Sequence, residues 1–247
     1  MLGLGNSISS SSYSQASYTV TRSVSLDGTN DHIIITNSVA DDIKNIGSVS
    51  IWLKLETANQ NDTIFNLHTD TSNDNKIAIL FINQGGSELI RMNCRGGSSN
   101  TTLDHSYSAS DSVSNGWTHF VATWNRTANT MAMYLNGSKV ANSTSSITAF
   151  ATTANKIYLG KAGNADNAFF QGHLSSLSLF DETISDASVT TLYNSGSANL
   201  DVTGAGIDGL VAFLPLDETS GNFIDRTDTG ADGVPTNSPT QGVEDVP

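Results

Sequence analysis

The stretch Trp117–Asn136, WTHFVATWNRTANTMAMYLN, followed by Gly137, restricts this chain's fold more than any other segment. Trp117, His119, Val121 and Thr123 alternate with Phe120, Ala122 and Trp124, the two-residue period of a strand with a distinct set on each face. Met131, Met133 and Leu135 alternate with Ala132 and Tyr134 in the same way, and a polar connection joins the two runs. Asn136-Gly137 is a signal for a type I′ turn, which needs positive φ at both central residues. A pair of facing strands with a tight turn after the second is the reading, and both faces carry large apolar side chains.

The same alternation recurs along the chain. Ser48–Leu55, SVSIWLKL, sets Val49, Ile51, Leu53 and Leu55 against Ser48, Ser50, Trp52 and Lys54. Further strands are predicted at Ser23–Thr36 (two, around an Asp27-Gly28 turn), Thr63–Leu67, Lys76–Ile82, Glu88–Cys94, Lys156–Gly160 and Gly172–Phe180, with RGGSSN after Cys94 a loop. One helix is predicted, capped by Ser185, with Val189, Leu192 and Tyr193 on one face and Gly196 as its closing glycine. Only 14% of the 247 residues are charged, and Ser, Thr, Asn and Gly fill the polar positions, which suits exposed strand faces and turns. The fold class read from these patterns is all-β with one short helix.

A net charge of −13 disfavours nucleic acid and anionic membrane as partners. No stretch approaches the ~20 apolar residues of a membrane span. MLGLGNSISSSSYSQ lacks the basic and apolar regions of a signal peptide, so synthesis in a reducing cytoplasm is expected. Cys94 is the only cysteine, which excludes an intrachain disulfide. The Asn-x-Ser/Thr triplets at Asn61, Asn100, Asn125, Asn136 and Asn142 are read as chance in so polar a chain.

Several segments together resemble the laminin-G-like, concanavalin A-like jelly-roll family. SLDGTNDHI is similar to that family's FDGxxDYV strand, SVSIWLKL to its next strand, and WTHFVATWNRTANTMAMYLNGSKV to its central hairpin. IYLGK and FFQGHLSSLSLFDETISDASVTTLYNSG resemble its closing strands and helix, so the likeness spans Ser23 to Gly196. It implies a β-sandwich of two antiparallel sheets. One departure stands out: GLVAFLPLDETSGNFIDRTDTGADG resembles the segment that usually opens such domains, yet here it lies near the C-terminal end. A circular permutation within one domain accounts for this; strand addition to a neighbouring subunit is the alternative. The expected organisation is a flexible or partner-ordered arm (1–20), one jelly-roll domain (21–234) with 209–233 as the permuted closing segment, and an extended tail (235–247).

Catalytic patterns are absent from the sequence. Retaining glycosidases need two carboxyl groups about 5–5.5 Å apart, but Glu56, Glu88, Glu182, Glu218 and Glu244 are scattered. No strand carries acids at i, i+2 and i+4. There is no G-x-S-x-G elbow, and His32, His68, His105, His119 and His173 show no zinc spacing. His119 is expected to pack or hydrogen-bond within the sheet. Calcium is the one ion the loops suit, through Asp217, Asp225, Asp228 and Asp232, or the Asp70–Asn75 stretch; the same Asp-Gly pairs also serve as plain turn formers. Trp52, Trp117 and Trp124 are expected to be buried, and Arg95, Asn100, His105 and Tyr107, in a long polar loop, are the candidate ligand-binding residues.

The family resemblance and the glycine- and serine-rich start imply a non-enzymatic structural or adhesion module, similar to jelly-roll proteins of tailed-bacteriophage virions. It would sit on a virion surface as a capsid decoration or fibre-associated protein, assembling as a homo-oligomer or with other virion proteins. A calcium-assisted carbohydrate-binding lectin is the alternative, and a β-glucanase-like hydrolase comes third.

Overall fold

The structure, a computed structural model, describes residues 18–57, 61–69, 72–108, 116–150, 152–163 and 168–247. Fifteen strands follow in chain order: β1 Ser23–Asp27, β2 His32–Ile35, β3 Ile46–Leu55, β4 Thr63–Thr69, β5 Ser72–Gln84, β6 Ser87–Gly96, β7 Ser99–Ser106, β8 Thr118–Asn125, β9 Thr130–Leu135, β10 Ser138–Ser143, β11 Lys156–Leu159, β12 Gln171–Phe180, β13 Leu210–Leu214, β14 Gly233–Thr236 and β15 Thr240–Val243. Among the described residues the helical elements are a single turn, α1 (Val39–Asp42), one eight-residue helix, α2 (Asp186–Tyr193), and two short 3₁₀ turns at Asn194–Gly196 and Val202–Gly204. The fold is an all-β, jelly-roll-like sandwich of two antiparallel sheets. An eight-stranded sheet runs β10-β9-β8-β3-β12-β1-β15 with β13 also on β12, and a seven-stranded sheet runs β14-β2-β11-β4-β5-β6-β7.

The core lies between the sheets and uses the side-chain sets that alternation picks out. Val49, Ile51, Leu53 and Leu55 from β3 and Phe120, Ala122 and Trp124 from β8 meet Phe65, Leu67, Ile77, Ile79, Met92 and Ile157 of the other sheet. Each fully buried Leu, Ile or Phe contributes about 1.5–3 kcal/mol. The Trp124 indole donates to Ile43 O at 2.7 Å, which satisfies its N–H in this dry layer. The turn at Asn136-Gly137 has φ of 48° and 79°. Its Asn136 Oδ1 accepts from His119 N at 2.9 Å, locking the hairpin it ends.

The eight-stranded sheet is covered on its outer side as well. Trp52, Val121, Tyr134, Phe180 and Phe213 pack there against Val189 and Leu192 of α2 and against Ala198 and Val202 beyond it. Ser185 caps α2 as expected, accepting from Ser188 N at 3.1 Å. The helix ends at Asn194, whose left-handed φ of 46° takes the position the sequence reading gave to Gly196. Asn tolerates this conformation because its short side chain bonds locally.

The C-terminal segment pairs within its own chain. β12 breaks register between Ser175 and Ser178, where Ser176 has a φ of 49° and donates its N–H to Pro215 O at 2.9 Å. β12 thereby pairs with β1 over residues 171–174 and with β13 over 177–180. The stretch after Val234, read from sequence as an extended tail, instead adds β14 beside β2 and β15 beside β1. Of the N-terminal arm, residues 1–17 lie outside the described residues. Tyr18 is held by Asp201, which accepts from its N–H at 3.2 Å, and by Asp217, which accepts from its hydroxyl at 2.6 Å.

Candidate functional site

The outer face of the seven-stranded sheet is polar; it is buried at Asn66, His68, Ala78 and Tyr158 and reaches solvent toward β6 and β7, where Asn100, Thr102 and Asp104 are exposed. Its chemistry follows from strand parity. In β5 and β6 the odd or even residues that face the core are Ile77, Ile79, Ile90, Met92 and Cys94, so Lys76, Ala78, Arg91, Asn93 and Arg95 point outward. Pairing places them in rows: Lys76 beside Arg95 beside Asn100, Ala78 beside Asn93 beside Thr102, and Arg91 beside Asp104. β4 extends the rows with His68 opposite Lys76 and Asn66 opposite Ala78, and β11 adds Tyr158 opposite Asn66. At about 4.8 Å per strand, the row from Tyr158 to Thr102 is about 19 Å long.

Two features of this grid favour a polar, anionic guest. Arg91 is satisfied by Asp104 through a two-pronged contact, Nε to Oδ1 at 2.6 Å and Nη2 to Oδ2 at 2.7 Å. The ammonium of Lys76, half-buried, meets no carboxylate among the described residues. Burial lowers its pKa, and the neighbouring Arg95 charge lowers it further, so two like charges face each other in a chain of net charge −13. Beside them, Oδ1 of Asn66 and of Asn93 are buried and accept no hydrogen bond among the described residues. The Tyr158 ring stacks on His68 at 5.4 Å and 10°, with Lys161 Nζ 5.6 Å above it.

Of the four residues expected to bind ligand, the structure brings together two. Arg95 and Asn100 are a cross-strand pair on the open face. His105 and Tyr107 have the opposite parity; His105 lies opposite core residue Ile90, and the Tyr107 ring packs on Phe81 at 5.1 Å. The "long polar loop" they were assigned to is the β6–β7 hairpin, closed by Gly97-Ser98 with Gly97 at a φ of 56°. Sequence reading missed Lys76, Asn93, Asn66 and Tyr158. The signal that holds part of them is the alternation Arg91-x-Asn93-x-Arg95.

The expected calcium aspartates do not converge. Asp225 is 7% exposed, and its carboxylate accepts from Phe213 N, Thr227 N, Thr227 Oγ1, Thr229 Oγ1 and Ala231 N at 2.7–3.2 Å. Asp232 Oδ1 accepts from Asp225 N, Asp217 takes the Tyr18 hydroxyl, and Asp228 is exposed. Among the described residues, no three His, Cys, Asp or Glu side chains gather as a metal cage. Residues 70 and 71 of the other candidate stretch lie outside the described set. Trp52 and Trp124 are buried as expected, while Trp117 is half-exposed. His119 is buried and bonds Ser50 Oγ through Nε2 at 2.8 Å. No helix among the described residues is long and apolar enough to cross a membrane.

The chain belongs to the concanavalin A-like lectin/glucanases superfamily, laminin-G-like branch, whose family model matches residues 27–190. Among solved structures it is similar to the heptameric SAP-like pentraxin of Limulus polyphemus, with a TM-score of 0.61 at 16% identity, covering 92% of this chain and 97% of that one. A putative carbohydrate-binding protein of Bacteroides ovatus aligns with a TM-score of 0.60 at 14% identity, over 93% of this chain and 62% of that one. The CBM40 of the Ruminococcus gnavus IT-sialidase aligns with a TM-score of 0.55 at 14% identity, over 71% of this chain and all of that one. No curated protein matches.

Proposed function

We propose that this chain is a non-catalytic carbohydrate-binding module that holds an acidic glycan on the outer face of its seven-stranded sheet. The observation that carries this reading is the Lys76–Arg95 pair, two adjacent cations whose Lys76 ammonium meets no carboxylate among the described residues, beside the exposed Asn100 of the same row. A sugar carboxylate neutralises the cations, and its hydroxyl groups bond the exposed side chains of Asn100 and Thr102. Fold relatives solved with sialyllactose support the choice of ligand class. The dispersal of carboxylates supports a non-enzymatic role: Glu56 is paired with His173, Glu218 with Arg226 and Glu244 with Arg22. A glycan array of acidic and neutral saccharides tests the reading. Binding confined to acidic glycans and weakened in Lys76→Ala/Arg95→Ala is expected; uniform silence, or binding indifferent to both substitutions, refutes it.

A second reading is favoured by one observation, the eight-residue edge strand β7, mostly exposed along its length. Such an edge accepts an added strand. In this reading the module assembles through β7, as a homo-oligomer or with other proteins, on the surface of a virion, and its polar sheet face contacts host glycan. Light scattering of the isolated chain checks it: a defined oligomer broken by a proline in β7 supports assembly, and a monomer at all concentrations counts against it.

A further inference from the structure

On the opposite sheet, a side chain from the C-terminal segment sits in a constellation built to hold a carboxylate. Asp245 Oδ2 accepts from Lys54 Nζ at 2.6 Å, and Oδ1 accepts from Trp117 Nε1 at 3.0 Å. Lys54 and His173 are cross-strand partners on β3 and β12, and the Trp117 ring meets the His173 ring edge-on at 6.1 Å. His173 in turn bonds Glu56 Oε1 at 2.8 Å through Nε2. One oxygen on an ammonium and the other on an indole N–H, with aromatic walls and a polar rim at Glu56, Thr57 and Gln171, is the recognition chemistry of a sugar acid.

The residue filling this place is weakly retained. The Lys54 and Asp245 side chains are 31% and 36% exposed, and exposed ion pairs hold little free energy. Asp245 follows β15, which touches β1 through only two registered pairs, Ser23 with Val243 and Ser25 with Thr240, with an irregularity between them. Gln241 of β15 also donates its Nε2 to Gly221 O at 2.8 Å, and beyond β15 the other tie among the described residues is the exposed Arg22–Glu244 contact at 3.6 Å. A segment held this loosely opens locally far more often than the sheet beneath it.

We infer that Lys54, Trp117 and His173 form a carboxylate-binding site occupied in this structure by the chain's own Asp245, and that its external ligand is an acidic saccharide. The C-terminal segment is then a displaceable internal ligand. Its tethering gives it a high effective concentration, so a free ligand binds more weakly to the intact chain than to one lacking the Asp245 carboxylate.

The three tryptophans make the test selective: Trp52 and Trp124 lie in β3 and β8, Trp117 directly precedes β8, and the seven-stranded sheet has none. The full chain, Asp245→Ala and Asp245→Asn are titrated with glucuronate, and with glucose as the neutral control, following the indole N–H resonances. The Trp117 signal is assigned by its loss in Trp117→Phe. Asp245→Ala is expected to move that resonance upfield. Glucuronate then returns it, saturating at a concentration several-fold to about tenfold lower than the intact chain requires, with Asp245→Asn between the two. Lys54→Ala combined with Asp245→Ala abolishes the response, and glucose gives none. Lys76→Ala/Arg95→Ala leaves the titration unchanged, which separates this site from the one on the other sheet. A glucuronate response no stronger in Asp245→Ala than in the intact chain, or an equal response to glucose, overturns the inference and leaves Asp245 as a tail anchor.

Discussion

Replacing Asp225 by alanine tests whether hydrogen bonding alone explains the acidic C-terminal loop. The carboxylate gathers three backbone N–H groups and two hydroxyls, and it ties β13 at Phe213 to the loop at Ala231. In Asp225→Ala the N–H groups of Phe213 and Ala231, a residue with no exposure, lose their acceptor. Each orphaned buried donor costs about 1–3 kcal/mol, so about 4 kcal/mol of destabilisation is expected. Asp225→Asn keeps one oxygen for Phe213 and Thr227 and lets the hydroxyls rotate, and about 2 kcal/mol is expected. With a urea slope of about 3 kcal/mol/M for a chain of this size, the alanine midpoint falls by about 1 M. Burial raises the Asp225 pKa, but the donors outweigh it and hold the carboxyl below its ordinary value of 3.8. This contribution is therefore present above pH 3.8 and lost as pH falls through the lower folded value, so Asp225→Ala has a shallower acid limb. A loss under 1 kcal/mol refutes the reasoning. So does a chelator that destabilises the native chain as much as the substitution, because that assigns the carboxylate to a calcium ion.

Trp124→Ala removes a fully buried indole and its bond to Ile43 O, and urea unfolding is expected to show a loss of about 3–5 kcal/mol. Burial raises Asp62 from 3.8 to about 6, so the native state favours its protonated form and loses that advantage as pH rises from 3.8 through about 6. Asp62→Asn is therefore expected to stabilise by about 1–2 kcal/mol at pH 8 and not at pH 3, measured by parallel denaturation at both values. His119 acts in the opposite direction. Burial lowers it from 6.5 to about 3, so its stabilising contribution is complete above pH 6.5 and is lost as pH falls toward 3. His119→Gln is expected to flatten the stability profile across that window in thermal melts.

What the sequence makes legible, and what it hides, both follow from burial. β3 and β8 are readable because both faces of each strand are covered, so every position carries a side chain chosen for its surroundings. β7 escapes because it is an edge: of its core-facing residues Thr101, Leu103 and His105, only Leu103 is apolar. β14 escapes for a related reason. It holds Pro235, which an edge strand tolerates, and Val234 stands 45% exposed. The helix was placed correctly at Ser185 by its cap chemistry, yet its end was misplaced because Asn194 and Gly196 both tolerate left-handed backbone.

The candidate site was only half legible because a grid of side chains is a property of register across strands. Arg95 and Asn100 are five residues apart and meet through a two-residue turn, while Lys76, the third member of their row, is nineteen residues upstream of Arg95. No local pattern announces that meeting. His105 and Tyr107 looked equivalent to Asn100 in composition, and a shift of one in parity sent them to the other face. The aspartates of the C-terminal loop misled for the complementary reason. The oxygens that would suit a cation are the same ones that accept the loop's own N–H and hydroxyl donors.

The most direct test of the central claim is a titration of the ¹⁵N-labelled chain with sialyllactose and with lactose, mapping amide and side-chain shifts onto the two sheets. The account predicts saturable shifts for sialyllactose at Lys76, Asn93, Arg95 and Asn100, weak or absent shifts for lactose, and loss of the shifts at those residues in Lys76→Ala/Arg95→Ala. Equal responses to the two sugars, or shifts that leave the outer face of the seven-stranded sheet unmoved, would contradict it.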